Sequence, residues 1–119
     1  PLFFPVLSVK VLTRNYDDAT QFLKSEYEYL RMWPDLDDKN IQLLVERSLS
    51  DSKNLEARLR FFETLATRLD KAYIYIGLAQ THGELGHAES AKRFAEKAVE
   101  LDPSLRGQVD KFIKSLGAI

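Results

Sequence analysis

The chain contains no cysteine and only a few glycines and prolines. The lack of cysteine excludes disulfide scaffolds, thiolate metal sites and thiol catalysis. Five glycines and four prolines in 119 residues are too few for the many tight turns of a sandwich or barrel, so the composition favours helices. Seventeen basic and eighteen acidic residues give a net charge of −1, which offers no electrostatic case for nucleic acid or an anionic membrane as partner. The 45% of hydrophobic residues predicts a folded domain with a real core.

The chain also lacks a long hydrophobic run. Its apolar opening contains Pro5 and is followed by Ser8 and Lys10, so it is shorter than the roughly 18 to 20 apolar residues of a membrane span. It has neither the basic leader nor the cleavage site of a secretory signal. We therefore expect a soluble segment that opens with a packed helix; the tail of a preceding membrane or linker segment is the alternative. Because the chain starts at Pro1, we interpret it as a piece of a longer protein or a processed product.

Hydrophobic residues recur at helical spacing almost throughout the chain and predict seven helices. The first helix is the apolar opening, and each of the other six carries one apolar stripe. In chain order these stripes are Ala19, Phe22, Leu23, Tyr27 and Leu30; Ile41, Leu44, Val45 and Ser48; Leu55, Leu59, Phe62, Leu65 and Leu69; Tyr75, Leu78, Ala79, His82 and Leu85; Ala91, Phe94, Ala95, Ala98 and Leu101; and Val109, Phe112, Ile113 and Leu116.

Capping residues and prolines mark several helix ends. Asn15, and either Asp37 or Asp38, are placed to accept hydrogen bonds from the free N–H groups at helix N-termini. Gly86 follows an apolar stripe and is suited to the left-handed conformation that ends a helix. Pro34 stops the helix that begins near Asn15, because proline cannot continue a helix.

A shift of about 34 residues aligns the sequence with itself, placing Ala91 on Ala57 and Tyr75 on Ile41. The segment 72–105 resembles the tetratricopeptide repeat family, which has this period and two helices per unit. His82 stands where the family usually has tyrosine, and a larger residue than alanine is common at position 95. The resemblance is carried by Tyr75, Leu78, Ala79, His82, Gly86, Ala91, Ala95, Ala98 and Pro103.

The resemblance implies an all-α fold: a short right-handed helical solenoid, in which each helical hairpin covers the apolar face of its neighbour. About three helix-turn-helix units are expected within a single domain, residues 1–119. The units are residues 1–37 and 38–71, both degenerate, and 72–105, which matches well. Residues 106–119 are expected to form a C-terminal capping helix.

The resemblance also implies a function, namely binding of a protein or peptide by the concave face that the first helix of each unit lines. The groove residues are expected to be Phe4, Ser8, Lys39, Gln42, Leu43, Glu46, Tyr73, Ile76 and Gln80, together with Gly77. Some family members hold a C-terminal carboxylate with Lys, Asn and Arg at such positions. That clamp is missing here, so we expect an extended segment or helix held by aromatic and aliphatic anchors.

A second class of function stays open beside this one. The chain is alternatively a structural or assembly tail domain of a larger protein, for example a bacterial membrane-associated protein, with the groove filled in cis. Tyr27, Tyr29 and Trp33 likewise have two interpretations, a surface platform for a partner or packing between repeats.

No catalytic, cofactor-binding or metal-ligating residue is predicted. His82 and His87 are five residues apart, whereas two metal ligands on one helix are normally three or four apart, and Gly86 interrupts the helix between them. We interpret His82 as a packing residue and His87 as a solvated turn residue. Four basic residues are interspersed with acids and are interpreted as a solvated face: Lys53, Arg58, Arg60 and Arg68.

Overall fold

The computed structural model describes residues 3–26, 36–49 and 53–117, which contain seven α-helices and no strand. The predicted all-α class is therefore confirmed. No helix within these ranges is both long and apolar enough to cross a membrane. The helices are α1 (Phe3–Leu12), α2 (Tyr16–Gln21), α3 (Asp38–Leu49), α4 (Leu55–Ala66), α5 (Ala72–Glu84), α6 (Ala88–Leu101) and α7 (Arg106–Gly117).

Three of the predicted helix-end devices fall within the described residues, and two of these three are present. An Asp37 carboxylate oxygen accepts a hydrogen bond from the Asn40 amide at 2.9 Å, which caps α3. Gly86 follows α5 with a φ of +84°, the left-handed conformation expected of it. The prediction for Asn15 is wrong: its side chain makes no cap bond to α2 and instead donates to the Thr13 hydroxyl at 3.0 Å.

The helix that begins at Tyr16 changes its winding after Gln21. It continues as a π-helical turn, Phe22–Glu26, where α-helical geometry was expected. The predicted stop at Pro34, and the three aromatic residues with two interpretations, Tyr27, Tyr29 and Trp33, lie outside the described residues.

The helices pack in an alternating order. Helix α3 packs against α1 and α5, and helix α4 packs against α2 and α5. Helix α6 packs against both α5 and α7. This is the order expected when two-helix units stack, because each unit then covers the apolar face of the one before it. The right-handed course of the stack and the unit boundaries remain predictions.

Two buried clusters hold the stack together. The larger draws on α1 to α5, with Leu7, Tyr16 and Phe61 among its fully buried members, and the smaller lies where α5, α6 and α7 meet. Tyr73, Tyr75 and Phe94 are packed against both clusters. These three rings therefore connect the two parts of the core.

Arg58 corrects the prediction of a solvated basic face. Its side chain is 0% exposed, and its guanidinium donates to the Thr81 hydroxyl at 2.9 Å and the Ser48 carbonyl at 3.3 Å. It also forms a salt bridge with Glu84. Arg58 thus connects α3, α4 and α5 from inside the protein, whereas Arg60, two residues on, is exposed and pairs with Asp17.

Candidate functional site

A groove of about 560 Å³ lies beside the N-terminal ends of α3 and α5. Three predicted groove residues line it, Lys39 and Gln42 from α3 and Tyr73 from α5. Asp70 and Lys71 precede α5 and also line the groove. We call this surface the α3–α5 groove; it is lined by Asp38, Lys39, Ile41, Gln42, Asp70, Lys71, Ala72, Tyr73, Leu101 and Asp102.

Four of the five charged groups of the α3–α5 groove are engaged with one another or with nearby polar groups. The Lys71 ammonium lies 2.8 Å from an Asp38 carboxylate oxygen and so ties the start of α5 to the start of α3. Asp70 accepts a hydrogen bond from the Tyr75 hydroxyl at 2.9 Å. Asp102 accepts from the Ser104 amide and hydroxyl.

The pKa of the Tyr75 hydroxyl is shifted by its surroundings at this edge of the groove. Burial raises the pKa of Tyr75, and the hydrogen bond to Asp70 and the charge of that carboxylate raise it further. Tyr75 therefore stays protonated and keeps donating to Asp70, which fixes the carboxylate at the groove edge.

Two further predicted residues line a separate, smaller recess of about 130 Å³. Ile76 and Gln80 of α5 face Gln108, Val109 and Phe112 of α7 across it. The recess continues the row of α5 residues that starts with Tyr73 in the α3–α5 groove. The predicted residues on α5 are thus divided between two neighbouring depressions.

The remaining predicted residues are placed differently. Glu46 is exposed and accepts a hydrogen bond from Gln42 at 3.0 Å, and Leu43 is half-buried. Ser8 is buried and accepts a hydrogen bond from the Arg47 guanidinium, which leaves it little surface for a partner. Phe4 lies on α1, and its side chain is outside the described residues.

Gly77 was expected to open onto the groove, and this expectation is wrong. A Cβ atom at Gly77 would lie 2.9 Å from the Phe62 ring, so this side of α5 faces α4. The absent side chain lets the two helices approach closely.

Several lining residues of the α3–α5 groove were not predicted. Asp70, Lys71 and Asp102 lie at helix ends, and a polar residue there is ordinary for a solvated turn. Asp38 was considered only as a helix cap. The sequence signal that these positions share is a charged residue next to the start or end of a helix, which does not by itself distinguish a groove from a cap.

The two histidines meet at the end of α5. Their Nδ1 atoms lie 3.1 Å apart, and the His82 ring is stacked on Phe94 with an angle of 10° between the planes. His82 is thus a packing residue, as predicted, and His87 is exposed but contacts His82. Within the three described ranges, no group of three or more histidine, aspartate or glutamate side chains is arranged to hold a metal ion.

Comparison with known protein families gives a match to a segment of the chain. The model of the tetratricopeptide repeat matches residues 72–105, which comprise α5, the Gly86 turn, α6 and Pro103–Leu105. Neither the curated proteins nor the solved structures give a significant match. Repeats of this family are generally non-catalytic and serve protein–protein interaction. The segment that forms α5 and α6 is therefore similar to a tetratricopeptide repeat, and this similarity suggests in general terms a module for protein–protein interaction.

Proposed function

We propose that the chain binds a segment of a partner protein in the α3–α5 groove and carries out no chemistry of its own. The observation that carries this proposal is the groove itself, because it lies between α3 and α5, the helices expected from the resemblance to be the first of their units and to line the binding face. Tyr73 and the 39% exposed Leu101 supply aromatic and aliphatic surface, and Lys39 and Gln42 supply polar groups.

The charge balance of the groove supports a partner segment that is not strongly acidic. Three carboxylates and two ammonium groups line it: Asp38, Asp70 and Asp102 against Lys39 and Lys71. Lys71 is paired with Asp38, so Lys39 is the ammonium group best placed to meet a partner. Because an exposed charge at the rim of an interface acts on encounter and register, Lys39 is a suitable place to test the groove.

The alternative function is that of a structural domain with the groove filled in cis. Tyr73 is half-buried and packs against both core clusters, so part of its ring serves the fold. A test based on Tyr73→Ala would therefore confuse loss of binding with loss of stability. Exposed groove residues are better probes.

A photo-crosslinking experiment separates these functions. A benzophenone amino acid is placed at position 39 or 42 in the groove, and in the control at position 92, which is exposed on α6 away from the groove. Adducts to a recurrent second protein from positions 39 and 42, but not from 92, support the proposal. Adducts that map within the same polypeptide support filling in cis, and adducts no more frequent at 39 and 42 than at 92 refute groove binding.

The partner so identified then allows a quantitative test with matched charge changes. Lys39→Glu is expected to weaken its binding about tenfold, equivalent to about 1.4 kcal/mol, whereas Lys92→Glu changes the same charge outside the groove and leaves affinity unchanged. Titration calorimetry measures both variants. Equal affinities of the two variants would contradict a binding role for the α3–α5 groove.

A further inference from the structure

The turn between α5 and α6 brings two imidazole rings together. Gly86, with its φ of +84°, reverses the chain after α5, and the His87 amide donates to the His82 carbonyl at 2.8 Å. The two ring centroids are 5.3 Å apart, and the Nδ1 atoms are 3.1 Å apart. On a continuous helix, side chains five residues apart do not face each other. The turn at Gly86 brings these two rings into contact.

The position of the His82 ring is set by aromatic packing. It lies 5.4 Å from the Phe94 ring and nearly parallel to it, and Phe94 in turn stacks on Tyr75 at 6.2 Å. His82 is half-buried in this column, whereas His87 is exposed at the start of α6. One imidazole is therefore held in place and the other is open to solvent.

The distance between the two nitrogens suits a shared metal ion. An imidazole nitrogen binds zinc at about 2.0 to 2.1 Å, so two such nitrogens around one ion in square or tetrahedral geometry lie roughly 2.9 to 3.4 Å apart. The observed 3.1 Å falls in this range. Neutral imidazole is a good ligand for Cu²⁺, Ni²⁺ and Zn²⁺, and a poor one for Mg²⁺ and Ca²⁺.

The tautomer of each ring decides whether its Nδ1 atom can bind an ion. Without an ion, one Nδ1 donates its proton to the other; with an ion, both rings would carry the proton on Nε2.

We propose that His82 and His87, brought together by the Gly86 turn, form a two-nitrogen site for a divalent transition ion of the imidazole-binding class, with solvent completing its coordination. Two protein ligands and an exposed location make this an exchangeable site and not a structural metal cage. Cu²⁺ is expected to bind most tightly of the divalent ions, following the general order of affinities.

The test is a Cu²⁺ titration of the untagged chain, followed by calorimetry and electron paramagnetic resonance. The wild type is expected to bind one ion with two nitrogen donors, and Mg²⁺ is expected not to bind. His87→Ala removes one donor at an exposed position, and His82→Phe removes the other while keeping a ring to stack on Phe94. Each variant is expected to weaken Cu²⁺ binding at least about tenfold, because the loss of a direct ligand exceeds the effect of losing an outer-shell partner.

Glu89→Gln, an exposed change in the first turn of α6, is the matched control and should leave binding unchanged. Circular dichroism of His82→Phe checks that the fold persists; if it does not, His87→Ala alone decides. Any of three results would overturn the proposal. These are Cu²⁺ binding by His87→Ala with wild-type affinity, a wild-type spectrum with a single nitrogen donor, and no Cu²⁺ binding by the wild type.

Discussion

Gly77 lies in α5 where that helix passes the ring of Phe62 on α4. The Phe62 ring is fully buried, and a Cβ at Gly77 would approach its atoms to 2.9–3.1 Å, closer than carbon atoms pack. Gly107 in α7 has open space around its missing Cβ. Substitution by alanine would therefore add the same methyl group at both glycines, but the methyl group would meet neighbouring atoms only at position 77.

We expect Gly77→Ala to lower the free energy of unfolding and Gly107→Ala to raise it slightly. Both gain helix propensity, up to about 1 kcal/mol, but only Gly77→Ala overpacks the interface with α4, at about 1 to 3 kcal/mol. The difference between the variants in urea denaturation measures that clash. Two equally stable variants would show that α4 and α5 can move apart freely.

His82 gives the protein a predicted dependence of stability on pH. Its pKa is lowered in the folded state, mainly by burial, so below the ordinary value near 6.5 the unfolded chain binds more protons than the folded one. Its contribution is therefore present above that value and is lost as the pH falls. The groups around His82 that enter this balance are His87, Glu63 and Arg93.

We expect His82→Phe to lose less stability than the wild type between pH 7.5 and pH 5.5. Phenylalanine keeps the ring stacked on Phe94 but takes up no proton, and carboxylate effects common to both proteins cancel in the comparison. Urea denaturation in chelator-containing buffer measures both proteins at each pH. Parallel pH dependence of the two proteins would contradict a role for His82.

At the residue scale, the sequence predicts features that depend on near neighbours. Asp37 and Gly86 are recognisable because a helix end needs a cap and a left-handed residue. Arg58 was mispredicted because the groups that hold it inside, the Thr81 hydroxyl and the Ser48 carbonyl, come from other helices. The contact of the two histidines was missed because it depends on the geometry of the turn at Gly86.

At the scale of the helix, α5 and α6 form the pair with the clearest sequence pattern. Ala91, Ala95 and Ala98 are fully buried, as their spacing predicts. Leu101 departs from the stripe and is 39% exposed, because it lies at the end of α6 beside the α3–α5 groove. Apolar spacing thus identifies the buried face of a helix better than its ends, where neighbouring helices no longer cover it.

We expect Ala91→Leu to destabilise the chain by about 1 to 3 kcal/mol, because a larger side chain at a fully buried position forces neighbouring groups apart. Ala88→Leu, on the exposed first position of the same helix, is the matched control and should change stability by less than about 0.5 kcal/mol. Thermal denaturation measures both. A near-neutral effect of Ala91→Leu would contradict close packing at that position.

At the scale of the molecule, the α3–α5 groove exists because α3 and α5 pack side by side. The resemblance places the first helix of each unit on one face, which is why Lys39, Gln42 and Tyr73 could be named in advance. Asp70 and Asp102 could not, because they belong to connections that approach the groove only after the helices have packed. The packing of α3 beside α5 therefore creates the groove from positions that are ordinary helix ends in the sequence.

Stacking also predicts how stability is distributed. If each unit depends mainly on its neighbours, a defect at one end should loosen that end first, whereas a defect in the middle should loosen the whole chain. Val109 is buried in the smaller cluster at the α7 end, and Leu44 is buried in the larger cluster on α3, between α1 and α5. Truncation of either to alanine removes buried methyl groups and leaves a cavity.

We expect Val109→Ala, at a cost of about 2 kcal/mol, to accelerate amide hydrogen exchange in α7 and the end of α6 while α1 and α3 keep wild-type rates. Leu44→Ala, at about 2 to 5 kcal/mol, should accelerate exchange in every helix, since α3 supports the helices on both sides of it. Mass spectrometry of peptic fragments resolves the helices individually. Equal acceleration in all helices for Val109→Ala would mean that Tyr73, Tyr75 and Phe94 join the two clusters into one cooperative core, and the repeat would then not act as a separable unit.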